Sequence, residues 1–301
     1  MSRQKILGVA VAVAALSLAA CGSNSLSGGS DEPTGAASSA AAQPSQSADK
    51  ALFDKLPDKI KSSKKIMVGS DASYAPNEFF AGDGSTIQGA DVDLFNAVAA
   101  KLGVTAEYQN AKFETIILGV SSGKYDVGVS SFTINADRMK QVNMVSYYEA
   151  GTQWAEGSGE SVDPDNACGK TIAVQRGTVQ DTDDLPGRQR KCGGNKIKVL
   201  RFDGQDQATA AVVSGRADAM LADSPITQYA VKQSKGALKT VGDIYDAAPY
   251  GFVVPKDQTQ FADVLAEALK EVKSDGSYDK ALSKWGIQSG AIDDFAVNPK
   301  S

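Results

Sequence analysis

The feature that most constrains the fold of this chain is a strand–helix–strand pattern that occurs twice. In the first half, a strand and a helix precede SGKYDVGVSS, residues 122–131, and in the second half they precede SGRADAMLADS, residues 214–224. Each stretch begins with a serine–glycine–base turn, continues as an apolar strand and ends in polar residues. Strands that alternate with helices pair in parallel, because each helix returns the chain to the same edge. We therefore predict an α/β fold with mainly parallel sheets flanked by helices.

Polar side chains follow the ends of these predicted strands throughout the chain. In open parallel sheets, ligands bind at the carboxyl ends of the strands. The residues just beyond such ends are candidates for a binding site: Asp71, Tyr74, Ser130, Ser131, Thr133, Thr178 and Asp223.

Arg138 stands at an unusual position for a cation. Asn135 is a favourable N-cap and would place Arg138 at the third helical position. A helix N-terminus is already electropositive and favours acids, so an arginine there indicates that an anion binds beside it. The alternative is a solvated surface arginine next to a polar turn. Asp91 and Asp93, near the start of another predicted helix, are expected to cap that helix rather than form a catalytic pair.

The N-terminus carries the pattern of an export signal. Residues 1–20 combine a basic start, an apolar run and the small-residue stretch LAAC, which ends at Cys21. This ending resembles the bacterial lipobox, in which the cysteine is lipidated; the alternative is a plain signal peptide with an incidental cysteine. Residues 21–50 are rich in Ser, Gly, Ala and Pro and are predicted to be a disordered tether. We expect an exported protein, lipid-anchored on the outer face of the cytoplasmic membrane.

The cysteine, histidine and charge counts exclude several classes of function. With Cys21 lipidated, two of the three cysteines remain, and export would oxidise Cys168 and Cys192 to a disulfide. The absence of histidine argues against a zinc site and excludes Ser–His or Cys–His catalysis. A net charge of -5 argues against nucleic-acid binding. We expect no metal and no cofactor.

Six stretches together resemble the bacterial extracellular solute-binding proteins of family 3. They are YAPNEF, GADVDLFNAVAAKLGV, SGKYDVGVSSFTINADRMKQV, GKTIAVQRGT, SGRADAMLAD and SDGSYDKALSKWG, in the family's order. The resemblance implies a periplasmic-binding-protein-like fold of type II, in which two α/β lobes joined by a two-strand hinge close on a ligand. It places residues 51–149 and 251–301 in the first lobe and residues 150–250 in the second.

The resemblance also implies roles for the site residues at the two charged ends of an amino acid. Arg138, with Thr133, matches the residues that bind the α-carboxylate, and Thr178 matches a carboxylate contact from the second lobe. Asp223 matches the acid that pairs with the α-ammonium, to which Ser131 supplies a further bond.

Other positions match those around the ligand's side chain. Tyr74 and Phe113 match aromatic positions that sandwich its aliphatic part, although Phe113 could be ordinary core. Asp71 matches a residue that meets the side chain in some members, or it caps a turn; Ser130 is the remaining candidate contact. The sequence departs from the family at Asn77, where many members carry an aromatic, and Gln175 stands at a position that varies with ligand class.

The function implied is binding without catalysis. We expect a monomer that captures a polar L-amino acid, glutamine or a basic one, for an ABC permease and ATPase complex. Glutamate is less favoured because the sequence shows no second spare cation in the cleft. The alternatives are an enzyme on the same fold, dehydratase-like or lytic, with Glu78 or Asp71 as its acid or base, and a tethered amino-acid sensor.

Overall fold

The computed structural model describes residues 48–300. The predicted signal peptide, Cys21 and nearly all of the predicted tether lie outside the described residues. Asp49 accepts a hydrogen bond from the backbone N–H of Leu52 and caps the first helix, which begins at Lys50, the last residue of the stretch predicted as a tether. None of the helices in residues 48–300 has the length and apolarity needed to cross a bilayer.

Strands and helices alternate along most of the described chain, as predicted. In chain order they are α1 (Lys50–Asp54), α2 (Asp58–Ser63), β1 (Lys65–Ser70), β2 (Ser73–Tyr74), β3 (Glu78–Phe80), β4 (Ile87–Gln88), α3 (Ala90–Lys101), β5 (Thr105–Asn110), α4 (Phe113–Ser121), β6 (Val127–Thr133), α5 (Ala136–Gln141), β7 (Val142–Gly157), β8 (Thr171–Gln175), α6 (Leu185–Lys191), β9 (Lys198–Phe202), α7 (Gln205–Val213), β10 (Ala219–Asp223), α8 (Ser224–Gln233), β11 (Leu238–Pro255), α9 (Thr259–Ser274) and α10 (Ser277–Trp285). A π-helical turn, Gln180–Asp184, precedes α6.

Eight strands form one sheet in the order β5-β1-β6-β11-β7-β10-β8-β9. β1 pairs in parallel with β5 and β6, and β8 pairs in parallel with β9 and β10. The long strands β7 and β11 run antiparallel to each other and to their outer neighbours, β10 and β6. They join two parallel groups, which are the sheets of the two lobes. A second, small antiparallel sheet has the order β2-β3-β4, and its strands come between β1 and β5 of the first lobe in the sequence.

The hydrophobic core divides along the same line. Two buried clusters belong to the first lobe: their residues come from the chain up to the middle of β7 and from the last part of β11 onward. Two other clusters belong to the second lobe, and their residues come from the segment between these points. A fifth, small cluster of Tyr74, Ala222 and Ile226 joins residues of both groups. This confirms the predicted two-lobed α/β fold with a two-strand connection.

Two local predictions have different outcomes. Cys168 and Cys192 form a disulfide in the second lobe, with their Cα atoms 5.3 Å apart, and Cys192 packs in that lobe's core. The prediction that Asp91 caps α3 was wrong, because the N-cap is Gly89 and no side chain bonds to the cap position. Gly89 has a φ of 142°, and a Cβ there would lie 2.0 Å from the carbonyl oxygen of Asn77, so only glycine fits.

Candidate binding site between the lobes

Arg138 lies where the sequence pattern placed it. Asn135 is the N-cap of α5, and its side-chain oxygen accepts a hydrogen bond from the backbone N–H of Arg138 at 2.9 Å. The guanidinium donates to the carbonyl oxygen of Thr133 at 2.7 Å and to that of Gly177 at 3.1 Å. Since Thr133 belongs to the first lobe and Gly177 to the second, Arg138 bridges the two.

The Arg138 guanidinium is buried without a negative partner. Arg138 as a whole residue is 8% exposed, and its guanidinium lies over the rings of Phe113 and Phe132, 5.4 Å and 5.5 Å from their centroids. Among residues 48–300 no carboxylate comes within ion-pair distance of it. Burial lowers the pKa of Arg138 to about 10, because the charged form loses its hydration. The alternative interpretation, that Arg138 is a solvated surface residue, is therefore wrong.

Asp223 is the complementary case, a buried carboxylate held by neutral donors. It ends β10, and one of its oxygens accepts from the hydroxyls of Tyr74 and Tyr250, both at 2.8 Å. The other oxygen accepts from the Gln180 amide at 2.7 Å. Burial raises the pKa of Asp223, and the three donors and Arg138 act in the opposite direction. Within the described chain no lysine or arginine pairs with it directly.

Each of these two residues bonds across the lobes, Arg138 to Gly177 and Asp223 to Tyr74, so one buried cation and one buried anion lie where the lobes meet. Such an arrangement can bind a molecule that carries an anion at one end and a cation at the other. The described residues contain no cluster of three or more His, Cys, Asp or Glu side chains placed to hold a metal ion.

Asp71 and Gln175 meet across the lobes on another side of the site. One oxygen of Asp71 accepts from the backbone N–H and the hydroxyl of Ser73, at 3.1 Å and 2.5 Å. The other accepts from the backbone N–H of Phe113 at 2.9 Å and from the Gln175 amide at 3.0 Å. Asp71 therefore does cap local backbone, and burial raises its pKa. The amide oxygen of Gln175 is buried and accepts no hydrogen bond from any described residue.

The remaining predicted residues connect to this network. The Ser130 hydroxyl accepts from the backbone N–H of Asp71 at 3.0 Å, and Phe113 stacks on Phe132 with centroids 4.5 Å apart. Thr178 donates to the carbonyl oxygen of Gln175 at 2.9 Å. The Ser131 hydroxyl forms its hydrogen bonds with Asn77, Glu78 and Asp91, all in the first lobe. The structure thus places the nine predicted site residues in one region; their contacts with a ligand stay a prediction.

Sequence reasoning missed several residues of this region. Gln180 and Tyr250 both bond to Asp223, and no local pattern singled them out. Gly177 is a further such residue; its φ is 79°, and a Cβ there would lie 2.9 Å from that of Glu114. The lobes therefore approach so closely at this point that a side chain would push them apart.

Ion pairs between the lobes rim the site. Lys112, which precedes α4, lies 2.6 Å from Asp203 of the second lobe. Arg176 of the second lobe lies 3.5 Å from Asp203 and 3.9 Å from Glu114 of the first. Each of these side chains is about two-fifths exposed or more. Dissolved salt therefore screens the attraction between them.

Comparisons with known proteins cover this whole region. The bacterial extracellular solute-binding proteins, family 3, match residues 66–288. An arginine-binding protein of Corynebacterium glutamicum is 35% identical over 248 residues, which make up 81% of each chain. The structure of an ancestral arginine-binding protein bound to arginine has 33% identity and a TM-score of 0.70, covering 74% of this chain and 98% of that one. An ancestral amino acid-binding protein, a precursor of cyclohexadienyl dehydratase, has 32% identity and a TM-score of 0.68, covering 76% and 98%.

Proposed function

This chain belongs to the bacterial extracellular solute-binding proteins of family 3, and we propose that it captures L-arginine between its lobes for an ABC importer. Its homologues are amino-acid-binding proteins of ABC transporters. The finer steps belong to the same proposal: a lipid anchor at Cys21, closure of the lobes on the ligand, and delivery to a permease and ATPase complex.

The observation that carries the proposal is a buried pair of opposite charges, Arg138 and Asp223, neither of which has an ion-pair partner among residues 48–300. A guanidinium and a carboxylate are both expensive to bury, and each is stabilised when an ion of opposite charge binds it. An α-amino acid brings both ions on one carbon atom. Arg138 would hold its carboxylate as a two-pronged donor, and Asp223 would hold its ammonium.

The Asp71–Gln175 contact favours a cationic side chain. Asp71 contributes a carboxylate, and the buried amide oxygen of Gln175 is an acceptor that lacks a donor. A guanidinium has five N–H donors in a fixed plane and can satisfy several acceptors at once. The carboxylate of glutamate would meet the Asp71 carboxylate and the amide oxygen of Gln175, whose N–H donors are already engaged, and would be repelled. Glutamine, whose amide has two donors, is the second candidate ligand.

Binding without catalysis is part of the proposal. The two acids that could serve an enzyme are both engaged by the protein itself. Asp71 accepts four hydrogen bonds, and Glu78 is fully buried and accepts from the hydroxyl of Ser130 at 3.1 Å. Neither is left free to exchange a proton with a substrate.

Titration calorimetry of the full chain in detergent tests the ligand. We expect L-arginine to bind most tightly, then L-lysine and L-glutamine, with L-glutamate weakest. Agmatine, which has the guanidinium but no carboxylate, should bind at least about a hundredfold more weakly than arginine, because it leaves Arg138 unpaired. Agmatine binding as tightly as arginine, or glutamate binding best, would refute the assignment of the two ends.

The anchor is tested separately. Cys21→Ser should remove the lipid, so that the protein no longer partitions with membranes and its mass lacks the acyl chains. Retention of the variant on membranes would contradict a lipid anchor at this cysteine, and would leave the ligand assignment untouched.

A further inference from the structure

We infer, on the basis of the proposed function, that Glu78 is a positioning residue. As a neutral carboxylic acid beside the Asp91 carboxylate, it fixes the corner formed by Ser130 and Ser131. This corner lies at the end of β6, where the polar residues of the site begin.

The two carboxyl groups form a closed pair beneath the corner. Glu78 of β3 is 0% exposed and Asp91 of α3 is 2% exposed. The Ser131 hydroxyl lies between them, 3.3 Å from a Glu78 oxygen and 3.1 Å from an Asp91 oxygen, and each carboxyl group affects the pKa of the other. One Asp91 oxygen also accepts from the backbone N–H of Ser131 at 3.0 Å and from the hydroxyl of Tyr147. The pair therefore links four elements of the first lobe, β3, α3, β6 and β7.

The corner needs this support because its backbone is strained. Ser131 has a φ of 51°, the left-handed region that a residue with a Cβ adopts at a cost. The bond from its N–H to Asp91 holds it there, and its hydroxyl lies 3.1 Å from Asp91 and 3.3 Å from Glu78. Asn77 adds a third restraint by donating to the same hydroxyl at 2.8 Å.

The corner is connected to the binding site through the hydrogen bonds of Ser130. Ser130 donates to the other oxygen of Glu78 at 3.1 Å and accepts from the backbone N–H of Asp71 at 3.0 Å. A change at Glu78 would therefore move Ser130 and Asp71 together. Glu78 needs no contact with ligand to affect affinity.

No cation neutralises the pair, so the pair must keep a proton. The titratable groups that face Glu78 are Asp91 of α3, Asp71 after β1, Tyr74 of β2 and Tyr147 of β7. None of these is basic, and no lysine or arginine of residues 48–300 forms an ion pair with either acid. Two ionised carboxylates in contact inside a protein repel strongly.

The hydrogen bonds place this proton on Glu78. Burial, and then the charge of Asp91, raise the pKa of Glu78 well above its usual range. Burial also raises the pKa of Asp91, but the donors Tyr147 and Ser131 oppose that rise and favour its charged form. The pair thus carries one negative charge, on Asp91.

A comparison of three variants by calorimetry with L-arginine separates this arrangement from its rival. In the rival, both acids are ionised in the complex and the ligand's ammonium neutralises them. We expect Glu78→Gln, which keeps a neutral donor, to bind within about threefold of the parent. Glu78→Ala and Asp91→Asn should bind at least about tenfold more weakly, because the corner loses a restraint. A loss of more than about tenfold in Glu78→Gln would overturn the inference.

Proton exchange gives an independent readout. Binding measured in two buffers of different ionisation enthalpy should show no proton release that depends on Glu78. Release of close to one proton per arginine by the parent but not by Glu78→Gln would show that Glu78 ionises on binding, against the inference.

Stability against pH tests the proton without any ligand. A carboxyl whose pKa is raised in the folded protein stabilises it fully below the unfolded value, and this stabilisation is lost as pH rises through the folded value. The free energy of unfolding of the parent should therefore fall more steeply above about pH 5 than that of Glu78→Gln. Glu267→Gln, at an exposed position of α9, should keep the parent's slope. Equal slopes in the parent and Glu78→Gln would overturn the inference, even if arginine proved not to be the ligand.

Discussion

Replacing Arg138 by methionine should separate ligand binding from folding. Methionine keeps an unbranched apolar stem against Phe113 and Phe132 but removes the charge. In the ligand-free protein, the fall in the pKa of Arg138 to about 10 means that burial destabilises the charged form by about 3 kcal/mol at neutral pH. The variant is relieved of this penalty.

Against that relief stand the two hydrogen bonds to the carbonyl oxygens of Thr133 and Gly177. At about 1.5 kcal/mol each, the low end for bonds to charged groups, their loss destabilises the protein by about 3 kcal/mol. The two effects nearly cancel. We expect the free energy of unfolding without ligand to change by less than about 1 kcal/mol.

Ligand binding has no such compensation. Loss of Arg138 leaves the ligand's carboxylate desolvated without its partner, which weakens binding by about 2–5 kcal/mol, or roughly 30-fold to several thousand-fold in Kd. Arg138→Lys should fall between the parent and Arg138→Met, because an ammonium cannot reproduce the planar fork.

Urea denaturation and titration calorimetry with L-arginine measure the two quantities on the same samples. Arg188→Met is the matched control: Arg188 lies over Trp154 and Tyr245, 5.1 Å from each ring, but it has a carboxylate partner, Asp184, at 2.6 Å. It should lose stability and keep its affinity. If Arg138→Met binds arginine within about threefold of the parent, or loses more than about 3 kcal/mol of stability, the reasoning is refuted.

Three further changes test other parts of the site and fold. Asp223→Asn should weaken arginine binding by more than about tenfold in calorimetry while leaving the ligand-free protein at least as stable in urea, since it removes a buried charge; a stability loss with unchanged affinity would contradict this. Lys112→Met, which breaks an ion pair between the lobes, should raise Kd about twofold at low salt and have no effect at high salt; Lys55→Met, within the first lobe, should have no effect at either. Replacing Cys168 and Cys192 together by alanine should lower the free energy of unfolding by ~3.5 kcal/mol on the chain-entropy estimate without changing affinity, and an unaltered urea midpoint would count against a stabilising disulfide.

Local sequence patterns were enough for the order of the elements and for several individual positions. The strand–helix alternation predicted the α/β fold because each element's apolar period reports the face it buries. Asn135 and Arg138 were placed correctly because a helix cap depends on residues three apart. The pairing of Cys168 with Cys192 followed from export and from the number of cysteines left over.

Asp91 shows where the same local reasoning fails. A carboxylate in the first turn of a helix is ordinarily a capping residue, and the sequence gives no sign that another partner exists. In the folded chain Asp91 is bonded to Ser131, 40 positions away, and to Tyr147, 56 positions away. A buried acid binds the donors that the sheet brings to it, because an unsatisfied carboxylate in the core is far more costly than an uncapped helix end.

By itself, then, the sequence determined the class of fold, the residue types at the strand ends and the position of the arginine on its helix. The tertiary structure decided which of these residues meet. Tyr74 reaches Asp223 across 149 positions, and Gln175 reaches Asp71 across 104. Both contacts join the two lobes, so they depend on how β7 and β11 set one lobe against the other. Periodicity and capping act within a few residues of the chain, whereas the charges that make this site are brought together by the packing of whole lobes.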